Sequence, residues 1–303
     1  MLKYAINSVE VLKMKIIVTS YKGPDLDGIS CMYAYKEYLN KQGKESDYYI
    51  YGKPNKEVEI VCEMFNITLK EINNFNEEQD IVLVDTNNID RMPFVNPKKV
   101  IEIIDHHSKN PASEACINAK FQIERVGAAA TLVAEKFKNN NVPISRDAAI
   151  LLYYGIISNS VNLKATITTI KDIEMSNWLK EKCTEIDEEK IKTIFERKSK
   201  IEDENLRKEI EAENIITYKE NKVAVGQLEV VNLENFLNEK KEKLLQIMKD
   251  IKLEYELNYT FINCIDILEG FLDAFYEFPD WHVLSEKDTE AIETLIEFAK
   301  EKK

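Results

Sequence analysis

Short runs of apolar and β-branched residues alternate with stretches of helical periodicity through the first half of the chain. The apolar runs, which predict strands, are KIIVTS (15–20), DYYIY (47–51), IVLVD (81–85) and VIEIID (100–105). Apolar residues at helical spacing predict helices over 28–42, 126–140 and 146–160, the last of them buried nearly all round. Strands rich in Ile and Val that alternate with helices are typical of a parallel sheet covered on both faces. We therefore expect an α/β fold here.

A different order of elements predicts a second, smaller domain. Residues 183–213 are highly charged, contain no Pro or Gly and favour helices, so we expect them to connect two domains. After them, ITYK and KVAVGQLEVV flank a short turn, which predicts a hairpin. An amphipathic helix over 233–250, two strands in YTFINCIDIL and FLDAFYEF, and a charged helix from about Asp288 complete the pattern. The predicted domains are 1–182, a parallel-sheet domain with helices on both faces, and 214–303, a smaller α/β domain.

Charge and composition exclude several classes of function. The chain has 303 residues and a formal net charge of -13, which argues against binding to nucleic acid or to an anionic membrane. No apolar run approaches the roughly 18 residues of a membrane span, and the N-terminus has no signal-peptide core, so we expect a cytoplasmic protein. The five cysteines lie far apart without a CxxC pair, which favours reduced thiols.

Glycine-rich phosphate loops are absent from the sequence. There are only 8 glycines, and neither the dinucleotide-binding nor the P-loop pattern occurs. If this protein binds phosphate, metal ions and side chains have to supply the positive charge.

Acidic residues follow three of the predicted strands. They are Asp25 and Asp27 in the loop SYKGPDLDG, Asp85 at the end of IVLVD and Asp105 at the end of VIEIID. His106 and His107, two of only three histidines, come directly after the last of these strands. Because the carboxyl ends of parallel strands meet at one edge of a sheet, we expect all these side chains to lie together.

Such a group of side chains favours a metal site. Converging carboxylates repel one another and need cations to neutralise them. Carboxylate and imidazole together suit manganese, cobalt, iron or zinc. A carboxylate able to bridge suggests two metals about 3.5–4 Å apart, as in phosphoryl hydrolysis. Alternatively, a lone Asp at a strand end caps a turn or helix, and adjacent histidines are often structural. The combination of DxD, D and DHH after three strands favours the metal site.

The same motifs resemble those of a known superfamily. PDLDG, IVLVD and IIDHH are similar, in this order, to the first three motifs of the DHH phosphoesterase superfamily. VGAAATLVAEKF resembles its segment after DHH, and ISNSVNLKATITT resembles its fourth motif. From VAVGQLEVV through INCIDILEG the chain resembles the accessory domain of family II inorganic pyrophosphatases. The resemblance begins at about Met14, and the preceding residues look like an extension.

This resemblance implies a phosphohydrolase of the pyrophosphatase or exopolyphosphatase type, with a small phosphate-containing substrate bound in an interdomain cleft. One or two Mn²⁺ ions per chain, or Co²⁺ or Mg²⁺, would activate a water that attacks a phosphoanhydride. By the resemblance, Asp25 and Asp27 would each bind one metal, Asp85 would bridge the two, and His106 would ligate the second. The oligomeric state is left open, with a homodimer as one option.

The resemblance also assigns residues to the substrate. His107 would contact phosphate or protonate the leaving group, and Asp105 would orient both histidines as their hydrogen-bond partner. Lys164, in the fourth motif, and Lys287, in the accessory domain, would contact the substrate.

Four positions depart from the family pattern. Tyr21 stands where the superfamily has a histidine ligand, and Asn159, still a candidate metal ligand, stands where it has an aspartate. In SEKDT, Glu286 and Asp288 flank Lys287 where the family has SRKKQ. Because these changes remove metal ligands and reverse charges near the phosphate, we expect weakened pyrophosphate activity.

Three hypotheses therefore stay open. The first is an active metal-dependent phosphohydrolase. The second is a degenerate member that binds metal or a ligand without turnover. The third is a nucleotide or short-oligonucleotide phosphodiesterase, although that activity usually accompanies a glycine-rich accessory domain, which this sequence lacks.

Overall fold

Two compact units, Met1–Ile191 and Lys192–Lys303, make up the protein. The computed structural model describes residues 15–70, 78–211, 215–218, 221–268 and 275–277. The strands of the first unit are β1 (Ile16–Thr19), β2 (Ser46–Tyr49), β3 (Ile81–Val84), β4 (Val100–Asp105) and β5 (Lys120–Ile123). Its helices are α1 (Leu26–Lys41), α2 (Lys56–Phe65), α3 (Ala129–Asn139), α4 (Arg146–Asn159) and α5 (Ile170–Lys182). A further helix, α6 (Glu188–Lys198), begins in the first unit and ends in the second.

The first sheet has the order β2-β1-β3-β4-β5, and all its neighbouring strands run parallel. From β1 the chain goes first to one side, to β2, and then to the other side, to β3. Ligands in open α/β sheets bind beyond the carboxyl ends of the strands at such a point. The predicted parallel α/β fold is therefore confirmed, and the carboxyl ends of β1, β3 and β4 are where a site is expected.

Burial on both faces explains why the strands are almost uniformly apolar. All four side chains of β3 are 0% exposed, and burying an aliphatic side chain of this size stabilises the fold by roughly 1.5–3 kcal/mol. Helices α1 and α3 pack on the sheet and against α4, which is buried along most of its length, as predicted. A separate cluster joins the strands to the 3₁₀ turns that follow β3: Ile81, Leu83, Ile89, Met92, Val95, Val100, Ile103 and Cys116.

The start of α3 differs from the sequence prediction. The helix begins at Ala129, not at Val126, because Ala128 has an extended backbone with φ -154° and ψ 147°. Helix α2, strand β5 and helix α5 were not predicted at all. The three residues that precede α3 are instead held by polar contacts with the site, described below.

The second unit contains a mixed sheet of order β6-β7-β8-β9. Its elements are α7 (Leu206–Glu211), β6 (Ile215–Tyr218), β7 (Asn221–Val230), α8 (Leu233–Glu254), β8 (Tyr259–Asp266) and β9 (Phe275–Glu277). β6 and β7 pair antiparallel, as the predicted hairpin requires, and α8 connects the parallel pair β7 and β8. Leu206 and Ile210, in the segment predicted to be a linker, lie in the buried core of this unit.

Several sequence predictions fall outside the described residues. They are the N-terminal extension, the charged helix from about Asp288 and the SEKDT segment with Glu286, Lys287 and Asp288. All five cysteines are free thiols, as expected. Among the described helices, none is both long and apolar enough to cross a lipid bilayer.

Candidate metal centre

Asp105 organises the turn that carries both histidines. The carboxylate ends β4, is 0% exposed and accepts hydrogen bonds from the backbone nitrogens of His106 (2.8 Å) and His107 (3.2 Å). It also accepts from Nδ1 of His107 at 2.8 Å and from the side-chain amide of Asn87. Burial alone would raise the pKa of Asp105, but these bonds from His107 and Asn87 hold it below its ordinary value. Asp105 is therefore an ionised carboxylate that holds the turn and the ring of His107 in place, and its predicted part in catalysis stays a prediction.

His107 is hydrogen-bonded to the carboxylate of Asp105, and its side chain is exposed to solvent. The hydrogen bond to Asp105 raises the pKa of His107 above its ordinary value, against a smaller opposing effect of burial. Its side chain is 58% exposed. With Nδ1 bound to Asp105, Nε2 is left for a ligand or for solvent.

The ring of His106 is oriented by a backbone carbonyl. Nδ1 lies 3.1 Å from the oxygen of Val126, which can only accept, so Nδ1 carries the proton and Nε2 keeps its lone pair. Nε2 lies 3.4 Å from Oδ1 of Asp85 and 3.9 Å from Oδ2 of Asp27. This is the arrangement of a metal-binding imidazole whose second nitrogen is fixed by a hydrogen bond.

Asp85 is buried without a hydrogen-bond partner for one of its oxygens. The residue follows β3 with φ 56°, a left-handed conformation that Asp adopts more readily than most residues. Its side chain is 2% exposed, and no hydrogen bond reaches Oδ1 from the described residues. Burial, together with the charges of Asp27 and Asp25, raises the pKa of Asp85 well above its ordinary value. A buried carboxylate oxygen that lacks a donor is what a bound cation would satisfy.

Ligand atoms of Asp85, His106 and His107 all lie within 4.8 Å of one another. Asp85 and His106 supply the carboxylate and the imidazole of a donor set suited to a divalent transition metal, while Nδ1 of His107 is bound to Asp105. The residues present therefore fit the metal that the sequence motifs imply.

Asp27 is held at the start of α3. Its Oδ2 accepts from the backbone nitrogen of Ala129 at 2.8 Å, and Oδ1 accepts from Ala130 at 2.7 Å. Burial raises the pKa of Asp27 to about 6. The positive end of the helix dipole and the two N–H donors favour the charged form, so the carboxylate is fixed in position 3.9 Å from His106.

Asp25 is the first aspartate of the DxD motif, and Tyr21 lies four residues before it. Asp25 is the N-cap of α1, and its Oδ1 accepts from the backbone nitrogen of Gly28 at 3.0 Å. The backbone nitrogen of Asp25 in turn donates to the hydroxyl of Tyr21 at 3.2 Å. Burial and the charges of Asp25 and Asp85 raise the pKa of Tyr21 far above its ordinary value, so the side chain is a neutral phenol.

Asn159, the last residue of α4, offers a donor to the site. Its Nδ2 donates to the carbonyl oxygen of Gly127 at 2.8 Å and lies 3.4 Å from Nε2 of His106. Because the carbonyl of Gly127 can only accept, the amide nitrogen rather than the amide oxygen is directed to this side. The role of Asn159 as a metal ligand therefore stays a prediction and would require its amide to turn.

A cavity of about 430 Å³ opens onto these residues. It is lined by Tyr21, Lys22, Asp25, Asp85, Thr86, Asn87, Asn88, Arg91, Asp105, His106, His107, Ser108, Asn110 and Asn159. Lys164 is not among the lining residues, and Lys287 lies outside the described residues, so their predicted contact with substrate stays a prediction.

Sequence reasoning missed several polar residues of this cavity, among them Asn87, Lys22 and Arg91. Asn87 bonds Asp105 and also accepts from the backbone nitrogen of Asn110 at 2.5 Å, so it connects the loops after β3 and β4. Its place two residues after the strand-end Asp85 was the available signal. Lys22 and Arg91 carried no comparable signal in the sequence.

Comparisons with known proteins agree with this geometry. Residues 15–156 match the model of the DHH family, N-terminal domain. The chain is 28% identical over 264 residues to the "Probable manganese-dependent inorganic pyrophosphatase" of Clostridium acetobutylicum, covering 84% of this chain and 82% of the relative. It is 26% identical over 264 residues to the "Manganese-dependent inorganic pyrophosphatase" of Methanothrix thermoacetophila, covering 86% and 84%.

Other matches are shorter or concern the fold. A Streptococcus thermophilus relative, also named a probable manganese-dependent inorganic pyrophosphatase, is 32% identical over 163 residues, so the chain spans about half (52%) of that relative's length. A crystal structure described as "Methanococcus jannaschii putative family II inorganic pyrophosphatase" shares the fold with a TM-score of 0.60 at 24% identity, covering 84% of this chain and 83% of the other. Residues 15–156 are therefore similar to the N-terminal domain of the DHH family, and the chain resembles the manganese-dependent inorganic pyrophosphatases.

Proposed function

We propose that this protein is a divalent-metal-dependent phosphohydrolase that cleaves a phosphoanhydride with water. The observation that carries the proposal is the buried, unpartnered Oδ1 of Asp85, 3.4 Å from Nε2 of His106 at the carboxyl edge of a parallel sheet. Relatives named manganese-dependent inorganic pyrophosphatases support Mn²⁺ as the metal and a small phosphate compound as the substrate.

In this proposal the carboxylates and His106 hold the metal. Asp85, His106 and Asp27 provide the ligand atoms, with Asp25 at the edge of the cavity beside them. A divalent cation bound there supplies Lewis acidity, which activates water and offsets the negative charge of phosphate. The protein positions these ligands through backbone bonds: Val126 fixes the ring of His106, and the start of α3 fixes Asp27.

His107 and Asp105 act on the substrate side. Because Nδ1 of His107 is bound to Asp105 at 2.8 Å, Nε2 is free to donate a hydrogen bond, or a proton, to the oxygen of the leaving phosphate. Asn87 keeps Asp105 in place from the opposite side. This arrangement resembles other catalytic pairs in which a buried carboxylate orients a histidine.

Two observations favour a second candidate, a member of the family that binds metal or a phosphate ligand without turnover. Tyr21 places a neutral hydroxyl where a histidine ligand is expected, and Asn159 directs an N–H group toward His106. Tyr21 thus replaces an imidazole with a weaker metal donor, and Asn159 replaces a carboxylate with an amide whose N–H group faces the site. If the protein is instead a hydrolase, we propose that the same two changes weaken its activity on pyrophosphate.

One experiment separates the two candidates. Metal content after incubation with Mn²⁺ is measured by mass spectrometry, and phosphate release is assayed from pyrophosphate, tripolyphosphate and nucleotides with Mn²⁺, Co²⁺ and Mg²⁺. A hydrolase retains metal and releases phosphate from at least one anhydride, whereas a binding protein retains metal and releases none. Protein that retains no metal would contradict the hydrolase and the metal-binding form of the second candidate.

The matched variants change Asp85. Asp85→Asn tolerates the left-handed backbone but removes the charge, so it should fold normally and lose both metal and activity. Asp85→Ala should also lose metal and activity, and it adds strain because Ala is less tolerant of the left-handed backbone at this position. If Asp85→Asn retains as much Mn²⁺ as the wild type, Asp85 is not a metal ligand.

A further inference from the structure

Opposite charges share the cavity of the candidate metal centre without touching. Three carboxylates line it, those of Asp25, Asp85 and Asp105, and so do the cations of Lys22 and Arg91. No ion pair within 4.0 Å is formed by Lys22 or Arg91 anywhere in the described part of the chain. Acidic residues outnumber basic ones in this protein, 54 to 41. That Lys22 and Arg91 form no ion pair with a described residue, although carboxylates line the same cavity, therefore requires an explanation.

Lys22 is positioned by the loop between β1 and α1. A Cβ on Gly52 would lie 3.2 Å from Cγ of Lys22, so the aliphatic stem packs closely on the backbone at Gly52. Its Nζ lies 5.9 Å from the ring centroid of Tyr51, a distance at the limit of a cation–π contact. Lys22 is exposed, so the hydrogen-bond donors of its ammonium stay available to a ligand in the cavity that the residue lines.

Arg91 is positioned by the 3₁₀ turn after β3. It ends the turn Ile89–Arg91, and two nearby residues, Ile89 and Met92, are buried in the cluster that covers the sheet. This turn begins four residues after Asp85, so the backbone at Arg91 is fixed relative to the metal side of the cavity, and the side chain of Arg91 is exposed. Guanidinium is the side-chain group best suited to bind phosphate oxygens in pairs.

The size of the cavity and its lining by carboxylates and cations suit a small ligand that carries both kinds of charge. A cavity of about 430 Å³ is within the ordinary size of small-ligand sites. A phosphoanhydride complexed with a divalent cation presents its cation to carboxylates and its outer phosphoryl oxygens to basic groups. Such a complex can therefore contact both the acidic and the basic residues that line this cavity.

We propose that Lys22 and Arg91 bind the outer phosphoryl group of a metal-complexed phosphoanhydride, so that the first unit supplies both the metal ligands and a cationic phosphate subsite. This inference rests on the proposed function and extends it. It also explains how the chain could bind phosphate although Glu286 and Asp288 stand where basic residues are expected.

The test measures binding of imidodiphosphate, a pyrophosphate analogue that resists hydrolysis, by calorimetry in the presence of Mn²⁺. Lys22→Gln and Arg91→Gln should each weaken its binding about tenfold or more, and the double variant by about a hundredfold, as expected for lost charge-assisted hydrogen bonds. Arg91→Lys, which keeps the charge but not the paired donors, should lose less than Arg91→Gln. Mn²⁺ binding in the absence of the analogue should stay unchanged or become slightly tighter.

The matched controls are Arg125→Gln and Lys98→Gln, which remove exposed cations of the same unit that do not line the cavity. They should leave imidodiphosphate binding at the wild-type level. Equal affinities in the wild type, Lys22→Gln and Arg91→Gln would overturn the inference, as would an equal loss in the controls.

The outcomes for the inference and for the proposed function differ. Wild-type protein that binds imidodiphosphate through Lys22 and Arg91 but releases no phosphate from any anhydride supports the inference and contradicts the hydrolase. Protein that hydrolyses pyrophosphate with an unchanged KM in both variants supports the hydrolase and overturns the inference. Protein that binds Mn²⁺ but neither orthophosphate nor imidodiphosphate overturns both.

Discussion

The carboxylate of Asp172 accepts a hydrogen bond at 2.8 Å from the backbone nitrogen of Gly127, 45 residues earlier in the chain. It also accepts from the hydroxyl of Thr131 and from the backbone nitrogen and hydroxyl of Thr169, both at 2.7 Å. Asp172 is 0% exposed. A Cβ at position 127 would lie 3.0 Å from its carboxylate, so any side chain there would push Asp172 away by a few tenths of an ångström. Asp172 thus holds the segment that orients His106.

Asp172→Ala should lower both stability and metal affinity. The substitution leaves buried donors at Gly127 and Thr169 without an acceptor, and each costs about 1–3 kcal/mol. We expect the free energy of unfolding, from urea denaturation, to fall by several kcal/mol and Mn²⁺ binding to weaken in the protein that remains folded. Glu174→Ala, an exposed change on the same helix, is the control and should be nearly neutral. Wild-type values in Asp172→Ala would contradict this role.

Tyr21→His should raise Mn²⁺ occupancy toward two ions per chain. The neutral phenol of Tyr21 is a poor ligand for a second cation beside Asp25, whereas an imidazole would be a good one. Mass spectrometry of the metal-loaded protein measures the change. Tyr21→Phe removes the hydroxyl without adding a ligand, so it should show no gain. If Tyr21→His also shows no gain, the second position is limited by another residue.

Asn159→Asp should make stability depend more strongly on metal. In the metal-free protein, a carboxylate would face the carbonyl of Gly127, to which Asn159 now donates at 2.8 Å. We expect the melting temperature to fall without metal, because a buried hydrogen bond worth about 0.5–1.5 kcal/mol is lost. Added Mn²⁺ should then raise it by more than in the wild type. An equal metal-induced shift in both proteins would argue against position 159 as a ligand position.

Val161→Asn should stabilise the protein. Val161, Asn162 and Leu163, directly after α4, all have positive φ, and Val161 has φ 50°. A left-handed conformation costs a β-branched residue about 1–2 kcal/mol, a cost that Asn largely avoids. We expect a gain of about 1 kcal/mol in urea denaturation. Asn162→Gly, at a position already tolerant of this conformation, should change stability much less. A loss of stability in Val161→Asn would mean that its side-chain packing outweighs the strain.

The sequence predicted the strands and the carboxylates that follow them because both depend on local patterns. Runs of Ile and Val end at Asp85 and Asp105, and the parallel fold brings these ends together. The predicted start of α3 was wrong because the apolar pattern begins at Val126. A local pattern contains no information about Asp172, whose carboxylate binds Gly127 from a helix that is distant in sequence. Strand β5 was missed because it is a short edge strand with two exposed residues, and only its pairing with β4 defines it.

The candidate site was predicted in part for the same reason. The residues within the DxD motif, and those within the DHH motif, lie next to or near one another in the sequence, so they could be named. Lys22 and Arg91 reach the cavity only through the positions of a loop and a 3₁₀ turn, and neither position carries a pattern. The amide orientation of Asn159 depends on the carbonyl of Gly127, 32 residues away, and no local rule gives it.

The parallel sheet also fixes when the metal can bind during folding. β1, β3 and β4 pair only through long connections, so no hairpin can bring their carboxyl ends together early. Parallel pairing over such separations is slow, since the entropy of loop closure is lost before the contacts form. A cation that binds only after these strands have aligned stabilises the native state without stabilising the folding transition state. Mn²⁺ should therefore slow unfolding and leave the refolding rate nearly unchanged, so the metal would protect the finished protein without guiding its assembly.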